Sequence, residues 1–142
     1  MLIDANILLF AVDELSPFRA RATAWLEQQL SGSQRVAFPW QSLTAFVRVA
    51  TSPRVFARPL DPVRAWEYVE EWLLLQNVWI PVPDARHAEI LGSLVRRYRP
   101  TGKLVPDTEL AALAVAYGLS IASADTDFAR FTEIEWVNPL AA

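Results

Sequence analysis

The amino-acid sequence predicts an α/β domain built on a mostly parallel β-sheet. Short apolar segments alternate along the chain with longer segments that carry apolar residues at helical spacing. Proline, glycine and aspartate mark most of the changes from one kind of segment to the other. The chain has 142 residues, of which 53% are hydrophobic, and it contains no internal repeat, low-complexity stretch or linker. We therefore expect one domain over residues 1–142, with a core that needs no disulfide.

Five segments are predicted to be strands: the opening apolar run, 36–38, 78–82, 119–123 and 134–137. The opening run contains a single charge, Asp4. Because short apolar runs are typical of strands buried on both faces, Asp4 is expected at the carboxyl end of the first strand. The alternative is that Asp4 only caps a helix that starts at Ala5, since aspartate is a favoured N-cap.

The predicted helices lie between these strands. Ser16-Pro17 and Asp61-Pro62 combine a capping side chain with a proline at the first helical position. The other predicted helix starts are Pro39, the residue after Asp84, the segment 106–109 and, for a short helix, Asp125. The predicted ends are Gly32, Ser52-Pro53, about Leu75, the basic segment 96–99, Gly118 and the segment 130–131.

Composition excludes several kinds of site. The chain has no cysteine, so disulfides, thiolate zinc sites and a cysteine nucleophile are absent, and the chain suits a reducing cytoplasm. Its single histidine, His87, lies in a polar first turn and is predicted to be at the surface or an interface. We expect no membrane segment and no signal peptide, because the apolar runs are short and no basic region precedes the first strand. The net charge of −3 argues against broad nucleic-acid binding but leaves room for a local basic patch.

Three aspartates share one context, at the points where strands end or helices begin: Asp4, Asp107 and Asp125. In a doubly wound sheet these points can meet at one edge. Each close carboxylate pair would cost about 4 kcal/mol at about 4 Å, so a cation or shared protons would be needed. Oxygen ligands favour Mg²⁺ or Mn²⁺, which would assist attack of water on a phosphodiester. The alternative is that each aspartate is only a helix cap.

The same residues carry a resemblance to a known family. Asp4-Ala5-Asn6, Asp107 before the apolar segment 110–114, and the segment 123–128 resemble the three acidic motifs of PIN-domain nucleases. The segment 46–56, and 127–131 followed by Trp136 and the segment 138–140, are similar to signatures of VapC-type toxins. The resemblance covers essentially the whole chain, and its strength lies in the order and spacing of the motifs.

This resemblance implies a five-stranded, mostly parallel PIN-like sheet with helices on both faces. It also implies an endoribonuclease that uses Mg²⁺ or Mn²⁺ and acts on structured RNA, commonly tRNA. A VapB-type antitoxin that blocks the site and a homodimer are implied as partners. By residue matching, Asp4, Asp107 and Asp125 would hold the metal ion and its water. Asp127 would assist, while Asn6 and Ser123 would orient carboxylates.

One position departs from the family pattern. Many PIN domains carry a glutamate where this chain has Ala45. Gln41, one turn earlier, could hold a water but brings no charge, and Glu109 points away from Asp107 because the two are two residues apart on a helix. We therefore expect weaker metal binding than in a four-acid site, whether Ala45 is natural or engineered. It also favours an alternative, a catalytically idle protein that binds antitoxin or RNA.

Basic and aromatic residues suggest where partners bind. The candidates for contact with RNA phosphates are Arg48, Arg54, Arg97 and Lys103, with Arg96 and Arg99 nearby. Their alternative role is surface or helix-end charge. Trp66, Tyr68 and Trp72 predict an apolar face for a dimer mate or antitoxin helix, unless they belong to a thick core.

Two other enzyme classes have less support. A phosphotransfer enzyme could use Asp4 as its nucleophile, but Asn6 stands where a haloacid-dehalogenase-type motif has its second aspartate. A nucleotide-binding module would need a glycine-rich loop, and the four glycines are too scattered to form one.

Overall fold

The computed structural model describes residues 1–141 and contains a five-stranded sheet in the order β3-β2-β1-β4-β5. The strands are β1 (Leu2–Ile3), β2 (Val36–Ala37), β3 (Val78–Trp79), β4 (Ile121–Ala122) and β5 (Trp136–Val137). Every neighbouring pair is parallel. The predicted α/β fold is confirmed, and the sheet is parallel throughout.

Within residues 1–141, six α-helices connect the strands. They are α1 (Ala5–Val12), α2 (Arg19–Leu30), α3 (Trp40–Ala50), α4 (Pro62–Leu73), α5 (His87–Tyr98) and α6 (Leu104–Tyr117). A short 3-10 helix, Thr126–Arg130, lies between β4 and β5. No helix of the described chain has the length and apolar character needed to cross a bilayer.

Helices cover both faces of the sheet, as predicted. Since consecutive strand residues point to opposite sides, each central strand contributes to two separate hydrophobic clusters. One hydrophobic cluster joins Ile3, Val36 and Ala122 to helices α1 to α4. A second cluster joins Leu2, Ala37 and Ile121 to α5, α6 and the 3-10 helix. The central strands are therefore buried on both faces, which explains their uninterrupted apolar sequence.

The strand order brings two distant segments together at the carboxyl edge. Strand β1 pairs with β2 on one side and β4 on the other, and Ile3 is in register with Ala122. The next residues along these strands are Asp4 and Ser123. Ligand sites of open α/β sheets lie at such an edge, where the strand order reverses.

Several predicted boundaries are wrong by a few residues. Helix α6 begins at Leu104, so Asp107 lies within its first turn and does not head it, because Pro106 is tolerated in a first turn. Asp84 does not cap α5, which begins at His87; its carboxylate instead accepts a hydrogen bond from the Arg86 amide in a turn.

Other boundaries differ for similarly local reasons. Helix α2 begins at Arg19 and not at Pro17. Before it lies a turn in which the Ser16 hydroxyl accepts a hydrogen bond from the Phe18 amide. Strand β3 ends at Trp79, before Pro81, which has no amide hydrogen for a sheet. Gly118 was correctly predicted to end α6, since it has the left-handed conformation with φ of 65°.

Candidate active site

Asp4 combines the two roles that the sequence left as alternatives. It follows β1 at the carboxyl edge, and its Oδ1 accepts a 2.8 Å hydrogen bond from the Ala5 amide at the start of α1. Its Oδ2 accepts hydrogen bonds from the Ser123 hydroxyl at 2.7 Å and the Asn6 amide at 3.2 Å. Asp4 is thus a helix cap whose other oxygen is held in a polar network.

Ser123 lies at the centre of this network and is fully buried. Besides donating to Asp4, its hydroxyl accepts hydrogen bonds from Asn6 Nδ2 and from the Asp125 amide, both at 3.0 Å. Asn6 Oδ1 in turn accepts a 3.1 Å hydrogen bond from the Ala124 amide. These bonds fix the segment after β4 against the start of α1, as expected for residues that orient carboxylates.

Three other carboxylates form a compact cluster beside Asp4. Single oxygens of Asp107, Asp125 and Asp127 lie within 4.8 Å of one another, and all three residues are half-buried. Asp107 comes from α6, and Asp125 and Asp127 come from the start of the 3-10 helix. There, Asp125 Oδ1 accepts a hydrogen bond from the Asp127 amide. Asp107 is not a helix cap, because the N-cap residue of α6 is Lys103.

Burial and mutual repulsion perturb this acidic group. The pKa of Asp107 is raised from 3.8 to about 6, chiefly by burial and then by the charges of Asp125 and Asp4. Burial also raises the pKa of Asp4, against the lowering effect of its hydrogen bonds to Ser123 and Ala5. Asp4 is not one of the three residues within 4.8 Å of one another, but its charge acts on Asp107.

Two cations lie against the cluster. Lys103 Nζ is 3.4 Å from Asp127 Oδ2 and 4.0 Å from Asp125 Oδ2. Arg130 lies 3.4 Å from Asp127 Oδ1 and also donates to the Asp127 carbonyl at 3.2 Å. The sequence analysis predicts Lys103 only as an RNA contact and does not identify Arg130. Arg130 could have been found, because a cation three residues after an aspartate on a helix often forms an ion pair with it.

At position 45, where many PIN domains carry a glutamate, this chain has an alanine, and the polar residues considered as substitutes bond to other groups. Ala45 is half-buried on α3 and brings no polar atom. Gln41 donates a 2.9 Å hydrogen bond to the carbonyl of Pro106, so its amide group ties α3 to the first turn of α6. Glu109 Oε2 lies 3.4 Å from His87 Nε2. This contact agrees with the prediction that Glu109 points away from Asp107. The histidine side chain is 17% exposed, so it is not fully at the surface, and its predicted place at an interface stays a prediction.

The candidate RNA contacts differ in their surroundings. Arg48 and Arg54 are exposed, and neither forms an ion pair within residues 1–141. The residues next to them in the chain, Val49 and Val55, line a pocket of about 170 Å³ together with Asn6, whose side chain donates to Asp4. Arg97 pairs with Glu133 at 3.2 Å and lies over the Tyr98 ring. Its charge is therefore partly neutralised.

The predicted aromatic face is mostly core. Trp72 is only 8% exposed and packs edge-on against Phe38 and Phe46. Of the three predicted residues, Trp66 remains exposed, at 43%, and its ring stacks on that of Trp40 with an interplanar angle of 7°. The sequence analysis does not identify Trp40, because the predicted helix start there is the preceding residue, Pro39.

A further supporting residue is Trp136, which the sequence pointed to only through family resemblance. Its indole Nε1 donates a 2.9 Å hydrogen bond to the carbonyl of Ser123. The bond ties β5 to the segment that carries Ser123 and Asp125. No spacing rule would have revealed it, because it depends on how β5 lies beside β4.

Comparison with known proteins identifies the family of this chain. The sequence matches the PIN domain family over residues 1–134. It is 41% identical over 140 residues to ribonuclease VapC37 of Mycobacterium tuberculosis, covering 99% of this chain and 97% of the relative. It is 39% identical over 137 residues to ribonuclease VapC33 of the same species, covering 96% of each chain.

Solved structures share the fold at lower sequence identity. The chain resembles one from VapBC2 of Rickettsia felis, bound to a promoter DNA fragment, with a TM-score of 0.69, 15% identity and 96% coverage of both chains. It also resembles a chain from VapBC-1 of nontypeable Haemophilus influenzae, with a TM-score of 0.67 and 17% identity, covering 99% and 98%. The sequence matches, together with this fold, show that the chain belongs to the PIN-domain family and, within it, to the VapC ribonucleases.

Proposed function

We propose that this protein is the endoribonuclease toxin of a VapBC-type toxin–antitoxin pair, and that it cleaves structured RNA, with tRNA as the expected class, using Mg²⁺ or Mn²⁺. The observation that carries the proposal is the convergence of Asp107, Asp125 and Asp127 beside Asp4 at one edge of the sheet. The names of the relatives, which are ribonucleases of the VapC type, support the same activity.

The donor set fits a hard divalent cation. All four groups are carboxylates, and oxygen ligands suit Mg²⁺ and Mn²⁺ better than zinc. The raised pKa of Asp107 also indicates excess negative charge that a cation would relieve. Asp4, Asp107 and Asp125 would hold the ion, and Asp127 is close enough to join them. Such an ion would lower the pKa of a bound water and stabilise charge on the phosphate.

The remaining side chains have defined tasks in this proposal. Ser123 and Asn6 fix the orientation of Asp4, whose oxygens would otherwise rotate. Arg48 and Arg54 are proposed to bind RNA phosphates, because they are exposed and adjoin in sequence two residues of the pocket that Asn6 lines. Lys103 and, less strongly, Arg97 are proposed for the same role. Each phosphate contact contributes affinity without reading the base sequence.

A VapB-type antitoxin and a second copy of the chain are the proposed protein partners. The structural neighbours are VapBC complexes by their titles, which supports an antitoxin for this chain. The homodimer and a cytoplasmic location, where tRNA occurs, stay predictions. Mixing the chain with a VapB-type protein and measuring the mass of the complex would test both the antitoxin and the dimer.

The test of activity is incubation with total tRNA, with and without Mg²⁺ or Mn²⁺. We expect cleavage that needs the ion, is removed by EDTA and is lost in Asp4→Asn. The matched control is Asp61→Asn, which alters an exposed aspartate at the start of α4. Equal cleavage by Asp4→Asn, or none at any metal concentration, would contradict the proposal.

The second candidate is a catalytically idle PIN-fold protein that binds antitoxin or RNA. Ala45 favours it, because this position supplies no carboxylate to the site. The two candidates differ in one result. An idle protein would bind tRNA or antitoxin and leave the RNA intact at saturating Mn²⁺, whereas the nuclease would cleave it.

A further inference from the structure

The chain has one lysine, Lys103, among thirteen basic residues, and this lysine lies at the acidic cluster. Its Nζ is 3.4 Å from Asp127 and 4.0 Å from Asp125, while its side chain is 77% exposed. Lysine carries a compact charge on a flexible stem, whereas arginine presents a planar fork. The only lysine of the chain is thus found where a small cation would balance several carboxylates.

The surroundings of Lys103 leave this side chain free to move. It is the N-cap residue of α6, and it makes no capping hydrogen bond with its side chain. The preceding residue, Gly102, has φ of 57° and nothing within 4 Å of the position of a Cβ atom. Within residues 1–141, its ion pairs are those with Asp125 and Asp127. By contrast, Arg130 also donates to a backbone carbonyl, which restrains it.

We propose that Lys103 is a built-in counter-ion of the acidic cluster, which a divalent cation displaces and which then binds a phosphate of the RNA. This inference rests on the proposed function, because it needs both the ion and the RNA. It adds an exchange that the family match does not assign: one ammonium group serves the carboxylates in the metal-free protein and the substrate in the metal-loaded one.

The exchange follows from charge and solvation. Asp125 and Asp127 can accept either the ammonium group or a divalent ion, and the ion brings twice the charge. Since Lys103 is exposed, its ion pairs are weak and are broken at low cost. If the RNA binds with its scissile phosphate at the cluster, as the proposed function requires, an ammonium group released at the rim can bind one of the phosphate oxygens.

The first test measures Mg²⁺ affinity by titration calorimetry in the absence of RNA. Lys103→Met keeps most of the length of the side chain and removes the charge. We expect its Kd for Mg²⁺ to be about two- to fivefold lower than that of the wild-type protein, because no ion pair has to be broken. Arg99→Met is the matched control, since Arg99 is an exposed cation four residues away without an ion pair in the described chain. An equal change in both variants would reflect general electrostatics and would overturn the inference.

The second test follows Lys103 directly. Reductive dimethylation with ¹³C-labelled formaldehyde keeps the charge and labels one lysine and the Met1 amine, which gives two resolvable NMR signals. We expect Mg²⁺ to shift the Lys103 signal toward the position of free dimethyl-lysine, with the same saturation curve as in calorimetry. The Met1 signal serves as the internal reference and should stay in place.

A third measurement separates this role from a structural one. In tRNA cleavage, Lys103→Met should raise KM while it lowers the Kd for Mg²⁺, and Lys103→Arg should restore much of the lost RNA affinity. Loss of folding would weaken both kinds of binding. If Mg²⁺ saturates the protein and the Lys103 signal does not move, the inference is wrong although the metal site stands. If the wild-type protein binds neither Mg²⁺ nor Mn²⁺, the proposed function itself is wrong.

Discussion

The hydroxyl of Ser123 donates a 2.7 Å hydrogen bond to Oδ2 of Asp4, although 119 residues separate the two in the chain. The bond exists because β1 and β4 are parallel neighbours in register, so their carboxyl ends lie side by side. Through this contact the last acidic motif of the sequence supports the first. The site is therefore a property of the strand order and of no single segment.

Removing this contact should reduce both stability and activity. In Ser123→Ala, Asp4 loses a donor and the amide groups of Asn6 and Asp125 lose an acceptor. We expect the free energy of unfolding in urea to fall by about 1–3 kcal/mol, with slower RNA cleavage. Ser93→Ala, at an exposed position of α5, is the control and should change neither quantity. Equal stability of the two variants would show that the network contributes nothing.

The raised pKa of Asp107 predicts a pH dependence of the metal-free protein. This carboxyl titrates near 3.8 when unfolded and at about 6 when folded, so the folded state holds its proton more tightly. Protonation of Asp107 therefore stabilises the folded state, fully so below the unfolded pKa of 3.8. This stabilisation is lost as the pH rises through about 6.

Substitution of Asp107 isolates that effect. In EDTA at pH 7, Asp107→Asn should be more stable than the wild-type protein by about 1 kcal/mol, a value reduced for screening because the group is half-exposed. The difference should shrink as the pH falls from 7 to 4, as measured by urea unfolding. Glu70→Gln, an exposed change on α4, is the control. A difference that does not vary with pH would contradict the assigned shift.

Restoring a carboxylate at position 45 should strengthen metal binding. Ala45 lies one turn after Gln41 on α3, and Gln41 contacts the first turn of α6, which carries Asp107. We expect Ala45→Glu to lower the Kd for Mn²⁺ by about tenfold, because affinity rises with ligand charge, and to destabilise the metal-free protein. Thr44→Glu adds the same charge at the neighbouring exposed position and serves as the control in calorimetry. Similar gains in both variants would argue against a site role for position 45.

Arg48 and Arg54, exposed arginines that adjoin Val49 and Val55 in sequence, should bind RNA through its phosphates. Arg48→Ala and Arg54→Ala should each weaken tRNA binding and reduce the slope of log K against log salt by about 1. Fluorescence anisotropy in EDTA would measure binding without cleavage. Arg35→Ala is the control, because Arg35 precedes β2 at the opposite edge and lies over Trp79. Unchanged salt slopes for Arg48 and Arg54 would place the RNA elsewhere.

The sequence predicted the fold well because the determinants are local. The apolar segments at 36–38 and 78–82 and Gly118 after α6 lie where the strands and the helix end were expected. Asp4, Asp107 and Asp125 were selected because each follows a strand or begins a helix, and the structure gathers Asp107 and Asp125 with Asp127 beside Asp4. Their role as metal ligands stays a prediction.

What the sequence did not predict depends on tertiary contacts. The pairing of Lys103 with Asp127 requires the start of α6 to lie against the 3-10 helix, and no spacing in the chain encodes that contact. The burial of Trp72 depends in the same way on Phe38 and Phe46, which come from other elements. The neighbours of His87 in the sequence are polar, but its side chain is only 17% exposed and lies 3.4 Å from Glu109 of α6.

The central claim is that carboxylates from the residue after β1, from α6 and from the start of the 3-10 helix together hold one divalent cation. Anomalous scattering from crystals soaked in Mn²⁺ tests it most directly. We predict a peak in contact with Asp107 and Asp125, next to Asp4 and Asp127, and its loss in Asp107→Asn. A Mn²⁺ concentration that supports RNA cleavage but leaves no peak at these carboxylates would contradict the account.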